Sequence, residues 1–337
     1  MTRCSRIAVV WVASVVVVGM LTLTSGRSVA QVKKPVRLRT ATMFLGSSWY
    51  VYGASIAALL HKTFPKGSSF DILPFSGAVG NMKLLKQGEA SMALGFTVMS
   101  GWAYQGVHAY KTPMRDLRGL IGAMDDYYWA VVVRRDAGID SIDQIVKERK
   151  PVSWVTVPVG GGGEFTARRF MAAYGFSYDD VRKWGGRVQN TGFGAIRAQM
   201  KDGRAQVLSH TITAGHPSVT EIATTTNVKF LPLREDVIAK LQKDGYRKAV
   251  LPAGTFRGQD KDVLTVGLHT NLVTTASLPE EVAYLVTKTV CENTKRLARA
   301  HVSFKKLNCK KTWTPEALAV PLHPGAERYY KEKGYMP

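Results

Sequence analysis

Apolar and polar positions follow two alternating rhythms along this chain. Residues 36–44, VRLRTATMF, alternate with the period of two that is typical of a β-strand, and residues 54–64, ASIAALLHKTF, carry apolar side chains at helical spacing. The same order of strand, glycine-containing loop and helix returns in residues 70–96 and 152–176. Strands and helices therefore alternate, which predicts an α/β fold.

Helix ends can be placed from capping residues. Asn81 is a plausible helix start and Gly88 a plausible stop, Ser141 is a good N-cap, Gly175 ends another helix, and Pro279 with Glu280 suits a first turn. No flexible linker, low-complexity stretch or internal repeat separates the parts of the chain. We therefore expect two lobes joined by structured crossings, with the β-branched runs 127–133 and 263–274 as the candidates.

The N-terminus has the pattern of an export signal. Arg3 and Arg6 precede an apolar run from Ile7 to about Leu23, and Ser28, Val29 and Ala30 form an A-x-A-like cleavage site. We expect residues 1–30 to be a signal peptide that is cleaved near Ala30, which makes the mature protein periplasmic. An uncleaved membrane anchor is the alternative, because the run is close to the lower limit for a spanning helix.

Charge narrows the range of partners only slightly. The formal charge is +21, and it falls to +18 without the first thirty residues, which contain three arginines and no acid. An exported chain rarely meets nucleic acid, and the Lys and Arg residues are dispersed without an RNA-binding signature, so no nucleic-acid partner is expected. A dispersed basic surface is interpreted mainly as a solvated face, and attraction of an anionic ligand is the less favoured alternative.

Two cysteines remain in the predicted mature chain, Cys291 and Cys309. A disulfide between them is plausible in an oxidising compartment, and two separate thiols are the alternative. Two cysteines and scattered histidines form no zinc pattern, and neither a metal nor another cofactor is expected.

Four consecutive glycines, 160–163, stand between a predicted strand and a predicted helix. Glycines at this point let ligand atoms reach backbone N–H groups at a helix N-terminus, where negative charge is favoured. A strained turn explains such a run about as well. The spacing matches neither nucleotide-binding motif, G-x-x-x-x-G-K-[ST] or G-x-G-x-x-G. The loops GSSWYVYG and SGAVGN follow their strands in the same way, and open α/β sheets bind ligands at such loops.

The order of these segments resembles the TAXI family, the solute receptors of tripartite ATP-independent periplasmic (TRAP) transporters. The matching segments are GSSWYVYGASIAALL, SGAVGNMKLLKQGEASMALGF with WAYQG behind it, GGGGEFTARRFMAAYGF, TAGHPSV and AVPLHPGAERYYKEKGY. They cover nearly the whole chain after residue 30. The resemblance implies a type II periplasmic-binding-protein fold, in which crossing strands join two α/β lobes and a ligand lies in the cleft between them. We expect lobe I to comprise residues 31–131 plus 267–337, and lobe II residues 132–266.

The resemblance also implies the ligand contacts. The expected contacts are Ser47, Ser48, Trp49, Tyr50, Gly77, Ala78, Gly80, Asn81 and Thr97 from the first lobe, and Gly161, Gly162, Gly163, His210 and Thr211 from the second. In this scheme a carboxylate lies on the glycine-loop N–H groups, Ser48 and Asn81 donate hydrogen bonds, and Trp49 and Tyr50 pack against the body of the ligand. Where the family often has Gly-Thr-Tyr-Tyr, this chain has Ser47 to Tyr50, and Gly161-Gly162 stands where Ser-Gly is frequent.

The implied function is a monomeric receptor that closes on a small carboxylate or amino acid and delivers it to TRAP membrane subunits. A sensor with the same fold, acting through a separate signalling partner, is the main alternative. An exported enzyme is disfavoured, because the chain has neither a G-x-S-x-G elbow nor H-E-x-x-H, and His210 and His216 have no evident nucleophile partner. His216-Pro217 and His323-Pro324 suit turn and packing positions.

Overall fold

The computed structural model describes residues 32–337; the predicted signal peptide, residues 1–30, lies outside them. The strands are β1 (Arg37–Met43), β2 (Ser69–Phe75), β3 (Met92–Phe96), β4 (Leu117–Ile121), β5 (Tyr127–Arg134), β6 (Ser153–Thr156), β7 (Arg187–Asn190), β8 (Val207–Ile212), β9 (Val228–Leu231), β10 (Arg247–Leu251), β11 (Val263–Leu268) and β12 (Thr270–Thr275).

Helices lie between most of these strands, as the alternating pattern predicted. They are α1 (Ser48–Thr63), α2 (Ala78–Lys86), α3 (Thr97–Gln105), α4 (Ile142–Lys147), α5 (Gly162–Tyr174), α6 (Tyr178–Lys183), α7 (Phe193–Lys201), α8 (Pro217–Thr225), α9 (Glu235–Gln242), α10 (Glu280–Glu292), α11 (Thr294–Ala300), α12 (Pro315–Leu318) and α13 (Pro324–Glu332), with 3-10 turns at Arg135–Ala137 and Val302–Lys306. Between residues 32 and 337 no helix is both long and apolar enough to cross a lipid bilayer.

The strands form two sheets, one for each lobe. The first sheet has the order β2-β1-β3-β12-β4, with β1 parallel to both β2 and β3 and with β12 antiparallel to its neighbours. The second has the order β10-β11-β5-β8-β6-β7, and β9 also pairs with β5. The parallel strands β1, β3, β6 and β8 are largely buried, because helices cover such sheets on both faces.

The chain crosses between the sheets at two places. It leaves the first sheet after β4 and enters the second at Tyr127, so the first crossing comprises residues 122–126. It returns at His269, the single residue between β11 and β12. The run 127–133, which the sequence suggested as a crossing, is instead a strand of the second sheet, because its buried β-branched side chains pair with β8 and β9. The lobe limits themselves stay a prediction.

Several helix ends agree with the capping residues in the sequence. The Ser141 hydroxyl accepts a hydrogen bond from the amide of Gln144, and Gly175 ends α5 in the left-handed conformation. Pro279 is the N-cap of α10. The prediction of a helix start at Asn81 was wrong, because α2 begins at Ala78, directly after Gly77 with a φ of 91°.

Candidate functional site

A closed cavity lies where the two lobes meet. It is lined by the ends of β1 and β3, the first turns of α1, α2 and α5, the start of β5 and the end of β8, through Met43, Ser47, Trp49, Gly77, Ala78, Phe96, Tyr127, Gly162, Gly163, His210, Thr211 and His216. Its volume is about 10 Å³, and a cavity needs roughly 10–15 Å³ on this measure to hold one water molecule. The structure therefore shows the lobes closed on each other.

The structure brings eight of the expected contact residues together at this cavity. They are Ser47, Trp49, Gly77, Ala78, Gly162, Gly163, His210 and Thr211. The other expected contacts, Ser48, Tyr50, Gly80, Asn81, Thr97 and Gly161, are not among its lining residues.

The first turn of α1 forms the aromatic wall of the cavity. Ser47 is the N-cap of α1, and its hydroxyl accepts from the amide of Tyr50 at 3.1 Å and donates to the carbonyl of Phe44 at 2.8 Å. Trp49 is 2% exposed, its ring lies 4.6 Å from that of Phe96, and its indole Nε1 donates to Thr270 at 2.9 Å. Trp49 is thus held rigidly, while Tyr50 is half-buried outside the lining residues.

Ser48 is fully buried behind this wall. Its Oγ has no hydrogen-bond partner of good geometry, although it lies close enough to the Tyr127 hydroxyl to offset part of the rise in that group's pKa. Burial and the nearby Asp125 raise the pKa of Tyr127 well above its ordinary value. Tyr127, which lines the cavity, therefore stays neutral.

Asn81 holds the first sheet together and is not a ligand donor. Its amide Nδ2 donates to the carbonyls of Ala41 at 3.3 Å and Leu94 at 2.9 Å, which joins β1 and β3. Only the acceptor Oδ1 remains without a partner. Gly80, one residue earlier in α2, leaves room for the hydroxyl of Ser76 and for the ring of Phe75 at the end of β2.

Thr97 lies in a second opening between the lobes. Its hydroxyl donates to the carbonyls of Ala317 at 2.9 Å and His269 at 3.3 Å, so its donor stays within the protein. The opening is a groove of about 410 Å³ that includes Trp102 and Asp244 among its lining residues.

The glycine run allows close approach of the other lobe. A Cβ on Gly161 would lie 2.6 Å from the carbonyl oxygen of Ser76, and one on Gly162 would lie 3.0 Å from Ala78 Cβ. A Cβ on Gly163 would overlap Nδ1 of His210. The amide of Gly161 already donates to Pro158 at 3.2 Å, whereas those of Gly162 and Gly163 stand in the first turn of α5, where N–H groups have no partner within the helix.

His210 places an unpartnered polar atom at this loop. The residue is 2% exposed, and its Nδ1 has no hydrogen-bond partner. Burial lowers the pKa of His210 to about 3 and that of His216 well below its ordinary value, so both imidazoles are neutral at pH 7. His216 is also the N-cap of α8, where its Nδ1 accepts from the amide of Val219.

Sequence reasoning missed four lining residues: Met43, Phe96, Tyr127 and His216. Met43, Phe96 and Tyr127 lie in runs that indicated strands, and His216 was interpreted as a turn and packing residue; in the structure it is the N-cap of α8. Their positions in the sequence could have identified them as lining residues, because each lies at or just beyond one end of a strand, near the crossing between the lobes.

The described part of the chain holds no group of three or more His, Cys, Asp or Glu side chains arranged to bind a metal ion. Cys291 and Cys309 are joined by a disulfide, with their Cα atoms 5.7 Å apart.

The fold is shared with solved periplasmic binding proteins at low sequence identity. The periplasmic binding protein BugD has 13% identity and a TM-score of 0.57, over 90% of this chain and 99% of that chain. MatC from Rhodopseudomonas palustris, solved with bound malate, has 12% identity and a TM-score of 0.54, over 90% and 98%. A protein from Bordetella bronchiseptica RB50 has 12% identity and a TM-score of 0.54, over 89% and 98%. The expected type II periplasmic-binding-protein fold is thus confirmed.

The sequence profile of the NMT1-like family matches residues 39–334, from the first strand to the last helix. The match includes both sheets and every residue that lines the cavity. This chain therefore belongs to the NMT1-like family.

Proposed function

We propose that this protein is an extracytoplasmic solute-binding receptor that captures a small anionic organic solute by closing its two lobes. The observation that carries the proposal is the cavity itself, which is built from strand ends and helix first turns of both lobes and contains the unpartnered Nδ1 of His210. A ligand that contacts both lobes stabilises the closed state by its differential affinity for that state.

The anionic group of the solute is assigned to the start of α5. The free amides of Gly162 and Gly163 point from the N-terminus of a 13-residue helix, where backbone dipoles favour negative charge. Trp49 and Phe96 offer an apolar surface for the rest of the molecule. MatC, which shares the fold at 12% identity, was solved with malate, so a protein of this fold can hold a carboxylate group.

Delivery to TRAP membrane subunits is the role that the TAXI-like segments favour. The same assignment places the mature protein in the periplasm after removal of residues 1–30. The moving parts in this scheme are lobe I, about residues 31–131 plus 267–337, and lobe II, about residues 132–266; the strands β5 and β11, which cross these limits, belong to the sheet of lobe II.

Mass spectrometry of small molecules released on denaturation is the direct test. The protein is purified from its own compartment, and organic acids are then screened for their effect on the melting temperature. A stoichiometric small acid that also raises the melting temperature supports the receptor. Turnover of the bound molecule would contradict it in favour of an enzyme.

Gly162→Leu tests whether closure is needed for binding. A side chain at this position meets Ala78 and Met99 of the first lobe, so we expect at least a tenfold loss of ligand affinity. The second lobe should fold normally, because these neighbours belong to the other lobe.

Gly194→Leu is the matched control, because Gly194 also stands in the first turn of a second-lobe helix and a Cβ there meets nothing within 4 Å. Circular dichroism and calorimetric titration of both variants would check the prediction. Unchanged ligand affinity in the Gly162 variant would show that this cavity is not the solute-binding site.

A further inference from the structure

The cavity between the lobes is uncharged. Within residues 32–337, none of its lining side chains carries a carboxylate, an ammonium or a guanidinium group. Its two imidazoles, His210 and His216, are neutral because burial holds their pKa values low. This contrasts with the strongly basic composition of the whole chain.

Three charged groups near the cavity, Arg197, Glu164 and Asp125, already have partners within the protein. Arg197, beside Gly46, forms an ion pair with Glu221 at 2.9 Å and donates to Ser218 at 3.1 Å. Glu164, next to Gly163 in the chain, pairs with Arg168 at 2.7 Å.

Asp125, behind the aromatic wall, accepts hydrogen bonds from Tyr52 at 2.6 Å and from Thr270 at 2.9 Å and 3.0 Å. None of these three groups is left to pair with a solute.

A single carboxylate nevertheless has partners in the cavity. The amides of Gly162 and Gly163 are donors at a helix N-terminus, and His210 in the neutral tautomer with its proton on Nδ1 donates to the same anion from that unpartnered atom. Met43, Trp49 and Phe96 accommodate apolar atoms only.

An additional charge has no oppositely charged partner there, because beyond the groups named above the polar lining consists of neutral hydroxyls such as those of Tyr127 and Thr211. An α-ammonium group would need an acceptor such as a carboxylate, and a second carboxylate would need a cation or further donors. Burying an ion without a partner costs several kcal/mol, enough to exclude such molecules at ordinary concentrations.

We propose that the residues lining this cavity, once the lobes part to admit a solute, bind a small organic acid with one negative charge and no ammonium group, and that they reject α-amino acids and dicarboxylates. This inference rests on the proposed solute-binding function and names the class of solute for that same site.

Isothermal titration with matched probes tests the inference. The ligand-free protein is titrated at pH 7.5 with butyrate, 2-aminobutyrate, succinate and butyramide, and then with 3-phenylpropionate, phenylalanine and 3-phenylpropanamide. Within each series the molecules share one carbon skeleton and differ in charged groups. We expect one of the two monoacids to bind at least tenfold more tightly than every other member of its series.

Three results would overturn it. These are an amino acid or succinate that binds as tightly as its monoacid, an amide that does so, or the absence of binding by both monoacids. A dicarboxylate or amino acid found in the purified protein would refute the solute class and leave the receptor function standing. A protein that neither carries nor binds any small molecule would refute both.

Met43→Lys supplies the missing cation, with Met43→Gln as the neutral control of similar length. We expect succinate to bind at least tenfold more tightly to the lysine variant than to the glutamine variant, once circular dichroism shows that both are folded. Equal affinity for succinate would contradict the argument that an absent cation excludes dicarboxylates. The probe series on the unaltered protein remains decisive if the lysine variant does not fold.

Discussion

Asp125 is a fully buried carboxylate beside the crossing between the lobes. Burial raises its pKa to about 6, although hydrogen bonds from Tyr52 and Thr270 favour its charged form. Because this pKa is higher in the folded protein than in the unfolded chain, Asp125 favours the folded state below about pH 4, and this contribution is lost as the pH rises through 6. The shift corresponds to about 3 kcal/mol.

Asp125→Asn should remove this part of the pH dependence. Urea unfolding at pH 4.5 and 7.5 gives the change in the free energy of unfolding for each protein. Subtracting the change in the variant from that in the unaltered protein cancels the opposite contribution of His210 and His216, which both proteins share. The unaltered protein should lose about 2 kcal/mol more than the variant between these pH values. Parallel profiles would show that Asp125 has an ordinary pKa.

Single residues were only partly predictable from the sequence. Trp49 was expected beside the ligand and does form the wall of the cavity, because the start of α1 faces the crossing. Asn81 and Thr97 were expected there too, yet their side chains bond to Leu94 and Ala317. Ala317 is far from Thr97 in the chain, and no local pattern predicts such a pairing.

At the scale of elements, hydrophobic periodicity predicted the strands and helices well. The role of the glycine run was predicted less well. Residues 36–44 and 54–64 became β1 and most of α1, because burial of one face follows directly from the apolar spacing. The run 160–163 was predicted to admit a ligand. The closest neighbours of Gly161 and Gly162 are Ser76 and Ala78 of the opposite lobe, which only the closed tertiary structure brings near.

The disulfide fastens the end of α10 to the segment that follows the 3-10 turn Val302–Lys306. Its cysteines are 18 residues apart, and closing such a loop in the unfolded chain contributes about 3 kcal/mol. The double variant Cys291→Ser, Cys309→Ser should lose about that much free energy of unfolding and keep its ligand affinity. Urea unfolding with and without reductant measures this. If the reductant lowers the free energy of unfolding of the double variant as much as that of the unaltered protein, its effect does not come from this disulfide.

At the scale of the whole molecule, the sequence predicted two α/β lobes correctly and the first crossing incorrectly. Residues 127–133 were interpreted as a crossing because they form a β-branched run, and such runs are typical of the buried strands that lie on either side of a crossing. The actual crossing, residues 122–126, is short and contains polar residues, and its position depends on β5 pairing with β8 and β9. Strand pairing of this kind is a long-range property that local periodicity does not contain.

An aromatic contact outside the cavity also joins the two lobes. Trp102, on α3 of the first lobe, donates from Nε1 to the carbonyl of Asp244 at 2.9 Å, and its ring lies 5.4 Å from Phe165 and 5.9 Å from Tyr246 of the second lobe. Trp102 is 5% exposed, so opening the lobes must return this large side chain to water. We therefore expect this contact to stabilise the closed state without touching the solute.

Trp102→Ala should accordingly speed solute release while the cavity stays intact. A central interface tryptophan is worth about 2 kcal/mol or more, so we expect the dissociation rate to rise at least tenfold with little change in the association rate. Trp102→Phe keeps the ring and loses the indole donor, and it should show an intermediate effect. Stopped-flow dissociation and the radius of gyration of the liganded protein measure both variants. Unchanged dissociation in the alanine variant would mean that the contacts around the glycine run suffice to hold the lobes closed.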